Sequence, residues 1–116
     1  MVSVAGLDVG ALRGLTRLEH LNMNDNRIRT IAPLEELNGL RWLQVGNNRI
    51  EDLSPVRSMT KLDYLVIAGN PLQDFSPLLD LQHLRTVTLD AKQWDSPSFQ
   101  DVKVELLKRR VEVNKK

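Results

Sequence analysis

The sequence predicts an α/β solenoid, a chain wound into coils whose short strands stack in parallel on one side while short helical turns return on the other. Three observations carry that prediction. Apolar residues recur on a 22-residue period, so that Leu18, Leu40, Leu62 and Leu84 share one column, Leu21, Leu43, Leu65 and Val87 a second, and Met23, Val45, Ile67 and Leu89 a third. Asparagine recurs on the same period at Asn26, Asn48 and Asn70, and proline at Pro33, Pro55 and Pro77. A fixed period of roughly 20–50 residues marks a stacked repeat architecture, because one unit cannot bury its apolar face alone.

Residues 1–17 read as a partial N-terminal repeat. Val9 falls in the Ile31 column, Leu12 in that of Leu34 and Leu15 in that of Leu37, while the strand segment is missing. A terminal repeat leaves one face of the stack open unless a cap covers it. Val2, Val4 and Leu7 are the residues available to fold over that face, in a short stretch made glycine-rich by Gly6, Gly10 and Gly14. The expectation is a piece of a longer array, or an N-terminus that relies on a neighbour. The glycine spacing matches that of membrane helix dimers, but such a motif needs an apolar segment of about 20 residues around it, and Arg13 and Arg17 interrupt this one.

Residues 18–94 form the repeats. Each opens L-x-x-L-x-(apolar)-x-x-N, and the alternation of Leu21 with Met23 is the period-2 pattern of a strand buried on one face. Four such strands are expected to pair in parallel at about 4.8 Å. The asparagine column falls where the chain turns away. A buried carboxamide there can bond the turn's backbone and that of the next coil, satisfying groups that cost about 1–3 kcal/mol each when unpaired. Asn26, Asn48 and Asn70 are therefore assigned as a structural ladder. In Ile31-Ala32-Pro33, Leu53-Ser54-Pro55 and Phe75-Ser76-Pro77 the proline pre-sets φ for a helical turn and the serine is expected to cap it. Leu34, Val56 and Leu78, followed three residues later by Leu37, Met59 and Leu81, imply one or two helical turns. Asn38-Gly39 has a hairpin signature, which the register moves to the helix-to-strand return.

The period ends at Leu89, since Lys92 takes the next asparagine position and Trp94 the next apolar one. Residues 95–116 read as a C-terminal cap. Ser96-Pro97 supplies an N-cap and first-turn proline, Phe99, Val102, Leu106 and Leu107 one apolar helix face, and Val111-Glu112-Val113 a short strand before a frayed tail.

These columns resemble leucine-rich repeats of the 22-residue class over residues 9–94. The runs Asn48-Arg49-Ile50-Glu51-Asp52-Leu53-Ser54-Pro55-Val56 and Asn70-Pro71-Leu72-Gln73-Asp74-Phe75-Ser76-Pro77-Leu78 are similar to the N-x-I-x-D-I-S-P-L run of bacterial internalin-type proteins. The same repeat length occurs in a regulatory subunit of type-1 protein phosphatase. The resemblance implies a curved, right-handed solenoid with a parallel sheet on its concave face, used chiefly to bind other proteins. Within residues 1–116 the resemblance is not expected to extend to an N-terminal helical cap of the internalin kind or to an immunoglobulin-like region after the repeats, features to which surface adhesion would attach.

Composition narrows the function classes. Sixteen basic against fifteen acidic residues leave a net charge of +1, so no overall field favours nucleic acid. With no cysteine there is no disulfide framework, thiolate zinc site or cysteine nucleophile. No apolar run approaches the roughly 20 residues of a membrane span, and the composition assigns no compartment. His20 and His83 fall on opposite sides of a coil, so they cannot share a metal or form a dyad. No phosphate-binding Gly-Lys-Ser/Thr loop or Gly-x-Ser-x-Gly elbow is present. The run Asn22-Met23-Asn24-Asp25-Asn26 has calcium-like residue types without the glycine and glutamate that such a loop needs. The sequence therefore predicts neither enzyme activity nor a metal or other cofactor.

Outward strand positions supply the candidate site. One column is His20, Trp42, Tyr64, Thr86, a second Asn22, Gln44, Val66, Thr88, and a third Asn24, Gly46, Ala68, Asp90. Large rings beside small and amide side chains suit a protein-binding patch, because Trp and Tyr supply contact area at low entropy cost. The assigned partner-binding residues are His20, Asn22, Trp42, Gln44, Tyr64, Val66, Thr86, Thr88 and Asp90. The competing view is that ring stacking only stabilises the sheet. Glu19, Arg41, Asp63 and Arg85 alternate in sign and are assigned to register and solubility, since exposed pairs contribute about 0–1 kcal/mol each. Arg27 with Arg49, and the basic residues from Lys108 to Arg110 with Lys115 and Lys116, are assigned as solvated. The expected function is a monomeric protein-binding module acting through the concave face. The alternative is a structural or assembly segment, a spacer or scaffold piece of a larger repeat protein, self-associating through its open N-terminal end.

Overall fold

A 22-residue repeat of strand, asparagine turn and proline turn winds into coils in which every strand pairs with the strand one period on. The structure, a computed structural model, describes residues 2–3 and 9–116. The strands are β1 (Val2–Ser3), β2 (His20–Asn22), β3 (Trp42–Gln44), β4 (Tyr64–Val66), β5 (Thr86–Leu89) and β6 (Glu112–Lys115). They form one parallel sheet in chain order. Its register is the period itself: His20 pairs with Trp42, Trp42 with Tyr64 and Tyr64 with Thr86. Two strands lie outside the period. β1 pairs with Leu21 and Asn22, occupying the place where the sequence shows no strand. β6 pairs with β5 over Thr86–Leu89, starting one residue later and ending two residues later than the expected Val111–Val113. The remaining expectations for the N-terminal stretch, including the folding of Val2, Val4 and Leu7 over the open face, lie outside the described side chains.

Opposite the sheet, 3-10 turns cover Val9–Leu12, Ala32–Leu34, Ser54–Ser58 and Ser76–Asp80. Proline opens the last three, as its fixed φ favours. The serines do not cap them. The Asp52 and Asp74 carboxylates accept from the amides of Ser54 and Ser76, each at 2.9 Å, and the Thr30 hydroxyl accepts from Ala32 at 3.1 Å. The cap lies two residues ahead of the turn because the serine supplies the orphan amide itself. These bonds, chiefly from the Ser76 amide and then its hydroxyl, hold the Asp74 carboxyl below the usual aspartate range, and the Arg57 charge adds to them against a small opposing cost of burial.

Between sheet and turns the repeat columns close into one core. Leu43, Leu65, Val87, Met23, Val45, Ile67, Leu37, Met59 and Phe75 have no exposure to speak of. The asparagine ladder runs along its edge. Met23, Val45 and Ile67 each lend a backbone carbonyl to two side-chain amides. Met23 accepts from Asn26 and Asn48, and Val45 from Asn48 and Asn70, all at 2.8–3.0 Å. Asn48 and Asn70 in turn accept the amides of Ile28 and Ile50 at 3.1 Å.

The ladder does not end at Lys92. Gln93 continues it, donating to Ile67 and Asn70 carbonyls at 2.9 Å, with Asn70 already on Ile67 at 3.1 Å. It can do so because the chain turns helical at Ala91, whereas the period would place the next helical turn at Ser98. Helix α1 (Ala91–Trp94) is capped by Asp90, and Asp90 and Gln93 form a reciprocal capping box. A 3-10 turn at Pro97–Phe99 leads into α2 (Gln100–Lys108), with no bond from the Ser96 side chain to cap it. Phe99, Val102 and Leu106 are buried, and Phe99 meets Phe75 edge-on at 5.2 Å. Leu107, assigned above to the same face, is 52% exposed, because the stripe that α2 buries is only wide enough for its neighbour Leu106.

Candidate functional site

The alternation that buries Leu21, Leu43 and Leu65 sends their flanking residues to the open face of the sheet. Because the register advances by a whole period, like positions line up across the strands. The imidazole of His20 and the indole of Trp42 lie 5.4 Å apart between centroids, tilted by 37°, and Trp42 and Tyr64 lie 4.6 Å apart at 32°. These separations follow the strand spacing, so the rings sit in one continuous stripe. Trp42 keeps 38% of its surface exposed, while His20, Tyr64 and Thr86 are half-buried.

The second column is more closely tied to the fold. Asn22 Oδ1 accepts from the Asn24 amide at 3.0 Å, and Gln44 Oε1 accepts from Asn24 Nδ2 at 2.8 Å. Thr88 is half-buried, and Val66 is 5% exposed and offers almost no contact area. In the third column Asn24 Oδ1 accepts from the Gly46 amide at 2.7 Å. A β-carbon on Gly46 would sit 3.1 Å from that oxygen and 3.2 Å from Val66 Cγ1, so the small residue there is set by packing. Asp90 is engaged on both oxygens, accepting from Gln93 and from Gly69, each at 2.7 Å. The open part of the surface therefore comprises His20, Asn22, Trp42, Gln44, Tyr64, Thr86 and Thr88, with Val66 and Asp90 serving its support.

Strand β6 adds two residues to this face. Glu112 extends the ring column beyond Thr86, and Asn114 the amide column beyond Thr88. The alternation Val111-Glu112-Val113 carried the signal, but α1 and α2 intervene before it and break the period that would have aligned it. Of the alternating charge column, Arg41 pairs with Glu19 at 3.4 Å between exposed side chains. Among the described residues, no group of three or more His, Asp or Glu side chains could hold a metal ion, and no helix is long and apolar enough to cross a membrane. The oxygens of the Asn22–Asn26 run are spent largely on backbone and amide donors, Asp25 Oδ1 accepting from Asn47 Nδ2 at 2.8 Å.

Two family models match the chain, one described as leucine-rich repeat over residues 3–50 and one as a pair of leucine-rich repeats over residues 38–80. Among solved structures it is similar to internalin C2 of Listeria monocytogenes, with 34% identity and a TM-score of 0.70 over 72% of this chain and 37% of that one. A second internalin of the same organism, inlF, shows 32% identity and a TM-score of 0.67 over 73% of this chain and 26% of that one. A leucine-rich repeat protein of Leptospira interrogans shares the fold at 24% identity, with a TM-score of 0.74 over 97% of this chain and 29% of that one. The chain thus spans well under half the length of these structures. No curated protein matches it.

Proposed function

Since the chain belongs to the leucine-rich repeat family and its repeats are of the internalin type, we propose that it binds a protein partner through the concave face of its sheet, centred on Trp42. Leucine-rich repeats are generally protein-interaction modules, and the open face provides what such a module needs. One observation carries the reading: His20, Trp42 and Tyr64 stack across adjacent strands with the indole 38% exposed. The core is complete without these rings, because the leucine, valine and isoleucine columns on the other side of each strand are already buried. Water-facing rings held in fixed positions lose little entropy when a partner covers them. Asn22, Gln44, Thr86 and Thr88 around them supply hydrogen-bonding capacity at the rim of such a contact.

The test is an alanine pair on a partner identified by cross-linking. Trp42→Ala is expected to weaken the complex by about 2 kcal/mol or more, with far-ultraviolet circular dichroism unchanged. If the affinity survives both Trp42→Ala and Tyr64→Ala, the sheet face is not the binding surface.

A further inference from the structure

Beside the ring stripe lies a cationic cleft that the stripe does not explain. Arg41, Lys61, Asp63, His83 and Arg85 line a depression of about 420 Å³, so His83 lies with the residues that lead into the strands and not on the side of the coil opposite His20. Arg41, Asp63 and Arg85 immediately precede Trp42, Tyr64 and Thr86, the strand residues of the ring column. The backbone holds the two columns side by side at the start of each strand. The carbonyl of Glu19 accepts the amides of both Arg41 and Trp42, that of Arg41 accepts Asp63 and Tyr64, and that of Asp63 accepts Arg85 and Thr86, all at 2.8–3.0 Å. Two consecutive donors on one acceptor interrupt the strict alternation of the strand, and neither the charged residue nor its ring neighbour is buried.

The charges in the cleft are poorly matched. Arg41 reaches Glu19, but among the described residues no carboxylate lies within ion-pair distance of Lys61 or Arg85. Three permanent cations face one carboxylate in a chain whose net charge is only +1. Exposed charges of this kind add little to stability even when paired, so the fold gives no reason for Lys61 and Arg85 to stand here unpaired.

We propose that this cleft receives the carboxylates of an acidic peptide segment in the protein partner, whose adjoining apolar side chain lies on Trp42 and Tyr64. The proposal rests on the ring stripe being the binding surface. Arginine presents a planar fork to a carboxylate, and lysine adds a point charge beside it. Arg41 and Arg85 precede strands that lie two apart in the sheet, about 10 Å, with Asp63 between them, a spacing that separate carboxylates along a peptide match better than one compact phosphate. The cleft also gives the encounter a direction, because charge complementarity at the rim steers association and sets the register of the partner.

The test titrates the isotope-labelled full chain with a synthetic glutamate-rich peptide carrying a central pair of leucines, against the same peptide with every glutamate replaced by glutamine. At low salt the glutamate peptide is expected to bind about tenfold more tightly, shifting the Trp42 indole and the Arg85 guanidinium signals. The double variant Lys61→Ala/Arg85→Ala is expected to remove that advantage while leaving the glutamine peptide and the circular dichroism unaltered. Equal binding of the two peptides, no binding of either, or an undiminished glutamate preference in the double variant would overturn the proposal. So would displacement by inorganic phosphate beyond that caused by sodium chloride of equal ionic strength. Trp42→Ala separates the two layers. If it weakens both peptides while the double variant changes nothing, the ring surface stands and the cleft assignment fails; if it weakens neither, the ring surface itself fails and the proposal with it.

Discussion

Replacing Asn70 by alanine tests how the coils are held in register. Its side chain is 5% exposed and donates to the carbonyls of Val45 at 2.8 Å, Ile67 at 3.1 Å and Ala68 at 3.4 Å, while its oxygen accepts the Ile50 amide at 3.1 Å. The losses are unequal. Val45 keeps a donor in Asn48, Ile67 keeps Gln93 and Ala68 keeps the Asn47 amide, so each carbonyl falls from two donors to one. The Ile50 amide has no substitute. A buried donor left without a partner costs about 1–3 kcal/mol, and the weakened carbonyls and missing side-chain volume bring the expected loss to about 3 kcal/mol. In urea, with a slope of about 1–3 kcal/mol per molar, the unfolding midpoint falls by about 1–3 M. Hydrogen exchange gives the local readout: the Ile50 amide exchanges faster in the variant by more than the global loss accounts for. A midpoint shift below about 0.3 M with Ile50 still protected would refute the ladder as the origin of the register.

Two further perturbations probe the turns on either side of the sheet. Gly69 has φ +77°, and a β-carbon there would sit 2.2 Å from Asn47 Oδ1, so Gly69→Ala is expected to cost about 1–3 kcal/mol in denaturant unfolding. Adding Asn47→Gly should remove the clash with Oδ1 but leave the backbone of residue 47 at 3.0 Å and the dihedral cost, so that recovery is partial; full recovery would show that neither of these carries strain. Asp74→Ala removes the cap on the Ser76 amide and is expected to cost about 1 kcal/mol at neutral pH. Because the folded pKa of Asp74 is depressed, its contribution is present above the usual aspartate value and is lost as pH falls through the lowered folded value. The difference between wild type and variant should therefore shrink at strongly acid pH, and a difference that grows there would contradict the assigned bond.

The repeat was legible because one residue in each column meets the same surroundings as its counterpart a period away. Leucine, asparagine and proline then recur as consequences of one geometry. What escaped was wherever a different residue performs the same task. Asp52 and Asp74 cap turns assigned to Ser54 and Ser76, since the hydrogen-bonded amide belongs to the serine. Gln93 stands one position beyond the asparagine column, and its extra methylene and the early start of α1 carry its amide to the carbonyl that an asparagine would have reached. The Asp90-x-x-Gln93 spacing is a helix-start signature that competes with the sheet-face position the period gives Asp90. The ring stripe followed directly from register, but the burial of Val66 did not, because it depends on how the neighbouring side chains close over a position that alternation leaves outward.

Ladder and stripe are consequences of the same spacing. A ring on one strand meets the ring on the next only if the strands neither slip nor splay, and a slip of one residue would turn every ring into the core. The shared carbonyls of Met23, Val45 and Ile67 oppose such a slip at the C-terminal end of the strands, each engaging amides from two coils. At the other end the twice-used carbonyls of Glu19, Arg41 and Asp63 do the same with backbone donors alone. Every strand between them is only three or four residues long, so the bonds at its two ends leave no free length over which a ring could move. With position set by the backbone and its asparagines, the outward side chains of the ring and charge columns are not needed to hold the coils in register. The columns His20 to Thr86 and Arg41 to Arg85 can then vary in chemistry from coil to coil, as they do, without altering the coil that carries them.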